Sequence, residues 1–316
     1  MLYKNTFKIM FSNGSLIWRV LLFLLCAVGI LIGLGALILS PIHKVLVAAG
    51  FFIMISDSYH AFINAMNLKQ LFVDIGDIVE KFFSIIIDNI SELLPSIIIF
   101  VFFIVFVCTL VTRFYTMTTT ICVNYYMHSN AKVKLSNNIF NSFGKNIKYL
   151  LVYAITILPL NILIYAAVFF MLRFFEADGL LFALAPFLII LTYTLLSTLK
   201  TTLFCGWLPA IVCGNKGVFA SLKKAFIVPK RRFWQTFGNA FALYLTIIFL
   251  NFFVGLLTFG VGLFITIPAT CVAMCIFGLV SFYMATGQKY YVDNFNVIAP
   301  KTKEMTDKFS NHKYIV

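Results

Sequence analysis

The sequence predicts an all-α polytopic membrane protein with six transmembrane helices, open to arrangement as three repeated helical hairpins. Three observations carry this prediction. Of its residues, 62% are apolar and 11% charged, with a mean hydropathy of +0.99, whereas a soluble chain is about half apolar and a quarter charged. Several apolar runs reach the roughly 20 residues that cross a bilayer core. The basic residues behind the net charge of +13 lie in short stretches between those runs. On this reading residues 1–316 form a single integral membrane domain, with an outer amphipathic segment at 41–93 and a cytoplasmic tail at 288–316.

The first span runs from Leu16 to Ser40, behind a basic start containing Lys4, Lys8 and Arg19. Its apolar core exceeds the roughly 7–15 residues of a cleaved signal, so it reads as an uncleaved anchor. Gly29 and Gly33 have the Gly-x-x-x-Gly spacing that permits close helix contact. Glycine is also simply common in membrane helices, and the spacing alone does not choose between the two.

Between the first two spans, VLVAAGFFIMIS is too short to cross comfortably and reads as a re-entrant or interfacial piece. LFVDIGDIVEKFFSIIIDNISELL follows. Its apolar positions recur with the helical period from Leu71 to Leu94, while Asp74, Asp77, Asp88 and Glu92 fall off the stripe. That pattern predicts an amphipathic helix, either a packed surface element, a lid, or a docking element for a protein partner. Its acidic polar face disfavours anionic lipid.

The remaining spans are expected at Leu94 to Thr112, Tyr149 to Leu172, Leu180 to Leu199, Thr236 to Gly260 and Val261 to Gly287. With six spans, one side receives twenty Lys and Arg residues and the other only Lys44, Lys69, Lys81 and Arg173. Such asymmetry predicts a multi-pass protein with both termini cytoplasmic, and the low charge density with many Ile, Phe, Asn and Lys residues points to an AT-rich bacterial genome and so to a bacterial cell membrane. Arg19, Arg113 and Lys200 fall near cytoplasmic ends of spans, where long side chains snorkel.

A weak repeat runs through these segments. FNSFGK (140–145) and FASLKK (219–224) precede spans that contain YAITILPLN (153–161) and YLTIIFLN (244–251). The inward spans carry Pro95, Pro186 and Pro268 early, and two of them end in TLVTRFYT from Thr109 and TLLSTLKT from Thr194. Together the matches suggest three helical hairpins.

The stretch SLKKAFIVPKRRFW (221–234) reads as an interfacial element. Phe219, Leu222 and Phe226 can share one face, and Pro229 is expected to break the helix before the next span. Phe233 and Trp234 lie where an aromatic belt is expected. Lys223, Lys224, Lys230, Arg231 and Arg232 are candidate lipid-headgroup contacts, each basic residue near an anionic surface contributing about 1 kcal/mol of attraction. FASLKKAF, KRRFW and the exit SFYMATGQKYYVDN resemble the membrane portion of bacterial glycerophosphodiester phosphodiesterases and related six-helix bacterial membrane proteins. The resemblance covers mainly Lys216 to Asn294. It implies a membrane module only, because in that family catalysis belongs to a separate soluble domain with no counterpart in this sequence.

Nothing in the sequence points to catalysis, a cofactor or a metal. The four histidines (43, 60, 128, 312) are scattered, and no hydrolase or phosphate-loop motif is present. Cys271 and Cys275 share a helix face without a nearby histidine or acid, so they read as packing or lipid-facing thiols. None of the seven cysteines forms a Cys-x-x-Cys pair, and a disulfide scaffold is not indicated. Asn161 and Asn251 are the candidate intramembrane polar positions, at matching places in the repeat. They could line a solute path together with helix breaks at Pro159 and Pro268, or form interhelical hydrogen bonds, the favoured reading. The function expected is a noncatalytic interaction, scaffold or regulatory module, with a permease for a small or amphiphilic molecule, lipid included, as the alternative. The expected partners are membrane lipids and a membrane or extracytoplasmic protein engaged through residues 71–94. Nucleic acid is not expected, because no polar domain carries the charge.

Overall fold

The computed structural model describes residues 1–66, 68–141, 143–177, 185–214 and 217–300. The start of the expected fourth span, Lys216 and the tail from 301 lie outside them. The described helices are α1 (Leu2–Ser12), α2 (Gly14–Ile38), α3 (Ser40–Ala48), α4 (Phe51–Ala65), α5 (Leu68–Asp88), α6 (Ile90–Ser129) and α7 (Leu135–Asn141). They continue with α8 (Phe143–Thr156), α9 (Leu158–Ala177), α10 (Ala185–Phe204), α11 (Trp207–Gly214), α12 (Val218–Ala225), α13 (Ile227–Leu257) and α14 (Leu263–Thr286). Strands β1 (Tyr290–Tyr291) and β2 (Val297–Ile298) follow. The all-α expectation therefore holds, with one small hairpin added.

Five of the described helices, or runs of helix, are long and apolar enough to cross a membrane: Gly14–Ile38, Ile90–Ser129, Ala185–Gly214, Ile227–Leu257 and Leu263–Thr286. Two bent pairs raise the count to as many as seven, Ser40–Ala48 with Phe51–Asn64 at 67° and Phe143–Thr156 with Leu158–Met171 at 42°. The first pair covers the piece read as re-entrant, and its corner is Gly50, whose φ of 68° suits glycine. The second pair is the expected third span, broken before Pro159, which lacks the N–H that would continue the α8 hydrogen-bond ladder.

Three expectations about helix ends change. Pro268 does not break its helix, for α14 runs unbroken through it. Pro229 lies inside α13 rather than at a break, and the chain interrupts instead at Phe226 and kinks at Arg232, whose φ/ψ of −145°/39° is non-helical. The amphipathic helix read from Leu71 to Leu94 ends at Asp88. Asn89 turns its side-chain amide onto the Ile85 carbonyl at 2.9 Å, and its own carbonyl accepts the first bonds of α6.

The chain packs as two compact units, Met1–Leu24 with Thr112–Val316, and Leu25–Val111. In the second, Leu46, Phe51 and Ile85 form a cluster with Ile42, Val45, Ile78 and Phe82, so α5 lays one apolar stripe on α3 and α4. Val73, Ile75, Val79, Phe83 and Ile87 of α5 remain exposed.

In the first unit α14 is the central helix. It is apolar on every side, and its second half is interior while Phe264, Ile265 and Ile267 of the first half are exposed. The whole run from Val272 to Ala285, apart from Met274, is buried. Helices α1 and α13 pack against it. Leu2, Asn5, Thr6 and Ile9 of α1 face inward while Lys4 and Lys8 face out, so the basic start is an amphipathic helix in the core. Gly287, with φ of 74°, closes α14 and leads to the hairpin. Tyr290 pairs with Ile298 and Tyr291 with Val297. Asp293 holds the turn by accepting from Phe295 N (2.9 Å) and Asn296 N (2.8 Å). The Tyr290 hydroxyl accepts from Asn5 Nδ2 at 2.9 Å, tying the amino-terminal helix to the segment after the last span.

Two glycines permit close approaches near the middle of this unit. A Cβ at Gly206 would lie 2.8 Å from the Ala225 carbonyl oxygen and 2.9 Å from Val228 Cγ2. At Gly278 it would lie 3.0 Å from the Cys205 carbonyl oxygen. Glycine at both positions lets the α10–α11 corner press against α14 and the α12–α13 junction.

Candidate functional site

The first unit holds a partly open cavity of ≈ 480 Å³ among α6, α8, α10, α11, α13 and α14. Ligand pockets typically measure about 300–1,000 Å³. Its lining combines apolar Ile157, Phe204, Leu208 and Met274 with Arg113, Lys200 and five tyrosines. No lining residue is acidic.

The polar groups form a connected chain of contacts. Lys200 Nζ donates to Asn161 Oδ1 at 2.8 Å, and Asn161 Nδ2 donates to the Tyr153 hydroxyl at 3.3 Å. The Arg113 guanidinium lies over the Tyr153 ring, 3.7 Å from its centroid, a cation–π contact. It also interacts with the Tyr149 hydroxyl. Tyr149 meets Trp207 edge-on at 5.0 Å, and Trp207 Nε1 donates to the Val218 carbonyl at 3.2 Å, which fixes the indole. Also in the lining, Thr201 Oγ1 and the Tyr244 hydroxyl share a hydrogen bond of 2.8 Å. Arg113 Nε is shielded from solvent without a hydrogen-bond partner. Arg113 and Lys200 line the same cavity.

Arg113 and Lys200, expected near cytoplasmic ends of spans, are brought together on this cavity. Helix α6 continues well past Arg113 to Ser129, and the helical run of Lys200 continues through α11 to Gly214. Arg113 lies inside α6 and Lys200 one turn before the end of α10, and both line the cavity. Arg19 donates to the Val133 carbonyl at 3.1 Å.

The two asparagines belong to separate clusters. Asn161 sits behind the cavity wall, bonded to two residues that line it. Asn251 on α13 donates to the Ile247 carbonyl (3.0 Å) and to Thr270 Oγ1 of α14 (3.4 Å), with its Oδ1 buried and unpartnered. The basic stretch divides in the same way. Lys223 and Lys230 are exposed, beside Phe219 at 71% and Trp234 at 80% exposure. Lys224 is half-buried, 5.9 Å from the centre of the Phe282 ring. Arg231 donates to the Ala285 carbonyl at 3.0 Å, satisfying an acceptor at the end of α14. Arg232 donates to Gln235 Oε1 at 3.0 Å. The cysteines are free thiols, with Cys122 and Cys275 buried and Cys26 and Cys108 exposed. No metal-binding cluster occurs among the described residues.

The site was missed because its residues are spread over six helices, yet the repeat marked it. Tyr153 and Tyr244 open its matched runs, and the matched exits TLVTRFYT and TLLSTLKT supply Arg113 with Thr116 and Lys200 with Thr201. All six residues line the cavity.

Apolar helices of spanning length, with large apolar side chains exposed along α2, α6, α9 and α13, define a polytopic α-helical integral membrane protein. Comparison with family models, curated proteins and solved structures finds no match to this chain.

Proposed function

We propose that this chain is a noncatalytic, multi-pass protein of a bacterial cell membrane that binds a small or amphiphilic molecule in the cavity and acts as its permease. The observation that carries the reading is the cavity itself, ligand-sized, lined from helices of spanning length, and combining apolar with cationic and hydroxyl side chains. Ionisable residues within membrane segments are costly and mark functional sites by default. The experiment is aqueous thiol labelling of Thr201→Cys in a cysteine-free background. Labelling that a bound ligand protects is expected, and a thiol that stays unmodified in every condition overturns the reading.

The reading has both termini in the cytoplasm. In its favour are the twenty-to-four division of basic residues and the Asn5–Tyr290 bond, which holds the first and last described segments together. Counting Ser40–Asn64 as re-entrant and 143–171 as one broken span yields six crossings, an even number.

A second reading, an interaction or scaffold module working through residues 71–94, has the exposed apolar side chains of α5 in its favour. Deletion of that helix separates the two, since a permease working through the cavity retains its ligand while a scaffold loses its partner.

A further inference from the structure

We infer that the cavity selects an anion, and specifically an amphiphile with an oxyanion head that bridges Arg113 and Lys200 while its tail lies along the apolar lining residues. The inference rests on the cavity-binding reading above and adds the chemical class of the ligand.

The argument is one of charge and of hydrogen-bond supply. Two cations line the cavity and no carboxylate does. A negative charge between or beside them offsets the cost of holding two cations in a medium of low polarity. Tyr149 and Tyr153 rings and the Asn161 amide hold the cations in place without neutralising either one.

The same bookkeeping holds for protons. Lysine has three donors, and Lys200 uses one on Asn161. The Tyr153 hydroxyl accepts from Asn161, so its own proton remains for donation. The Tyr149 hydroxyl faces a guanidinium, which can only donate, and therefore also keeps its proton. Arg113 Nε has no acceptor at all. A wall of donors with cations at two points is the complement of a group that only accepts, an ionised carboxylate or phosphoryl head. The apolar lining from Ile157, Phe204, Leu208 and Met274 offers nothing to a small hydrated ion and suits an acyl or alkyl tail.

The test uses the full chain in nanodiscs of zwitterionic lipid. Trp18→Phe and Trp234→Phe leave Trp207, on the cavity wall, as the one tryptophan. Its fluorescence is followed while decanoate, decyl phosphate, decanol, acetate or inorganic phosphate is added. Decanoate or decyl phosphate is expected to saturate the signal at least tenfold below decanol. Arg113→Gln and Lys200→Gln should each weaken the anions at least tenfold and leave decanol unchanged, which also shows that the variants fold. Arg113→Lys, which keeps the charge, should retain most of the preference.

Equal saturation by decanol and decanoate would overturn the anion assignment while leaving cavity binding intact. So would an anion preference untouched in both glutamine variants. Saturation by inorganic phosphate or acetate as readily as by their alkyl forms would support the oxyanion site and make a free anion its ligand. No response to any probe, with Thr201→Cys unlabelled, removes the cavity-binding reading itself.

Discussion

Lys200 Nζ donates a 2.8 Å hydrogen bond to Asn161 Oδ1, and this bond joins α10 to α9 beside the cavity. An ammonium half-buried among apolar helices depends on such an acceptor. Hydrogen bonds to charged groups contribute about 1.5–3 kcal/mol. Asn161→Leu, which also strands the Tyr153 hydroxyl, should therefore lower stability by about 2 kcal/mol. Adding Lys200→Met should recover much of that loss, because the charge that needed the amide is gone. A double-mutant cycle read by thermal unfolding in detergent measures the coupling, and additivity of the two losses would contradict the account.

Asn251 should behave differently although it occupies the matching place in the repeat. Its amide makes one bond within its own helix and a longer one to Thr270, while its Oδ1 is buried without a partner. Interhelical bonds of this kind average about 0.6 kcal/mol in membranes. Asn251→Leu is thus expected to change stability by less than about 1 kcal/mol, in either direction. A loss as large as that of Asn161→Leu would mean that the two residues share a role.

The contrast shows where the sequence was legible. Apolar runs are long signals, so helices of spanning length, the short apolar piece around Gly50 and the bend before Pro159 could be read in advance. Basic residues next to such runs carry no mark of direction. Arg113 and Lys200 read as residues near span ends, yet helix continues past both, through Thr- and Tyr-containing sequence after Arg113 and through mostly apolar sequence after Lys200. The β1–β2 hairpin is too short for any periodic signal, and the Asp293 turn that makes it is local side-chain chemistry. The paired asparagines matched in sequence but diverged in surroundings, since a neighbouring lysine exists for one alone.

Gly206 offers a steric prediction. Its Cβ would meet the Ala225 carbonyl oxygen, a backbone atom that cannot rotate away. Gly206→Ala should destabilise the chain by about 1–3 kcal/mol, the ordinary cost of overpacking. Gly238→Ala in α13 is the control, because nothing lies within 4 Å of the added methyl group. There, replacing a helical glycine should be neutral or stabilising by up to about 1 kcal/mol. Thermal unfolding of the two variants side by side decides the matter, and equal midpoints would refute the close-packing argument.

The hairpin predicts a pH dependence with two limbs. The Asn296 side chain, followed by the Phe295 and Asn296 backbone N–H groups, holds the Asp293 carboxyl below its ordinary range. A depressed folded value means stabilisation that is present above the unfolded pKa and lost as pH falls through the folded one. For Tyr290 burial dominates and raises the phenol above its ordinary value of 10.0, with the Asn5 bond and the charge of Arg232 acting against it. A raised value for this acid means stabilisation that is complete below the unfolded pKa and lost as pH rises through the folded one. Hydrogen-exchange protection at the Val292 amide, bonded to the Asn296 carbonyl at 2.9 Å, should form a plateau between those limits. Asp293→Asn keeps the turn and should flatten the acid limb alone, and Tyr290→Phe should flatten the alkaline limb alone. If either variant left both limbs in place, the hairpin would not be held by these two groups.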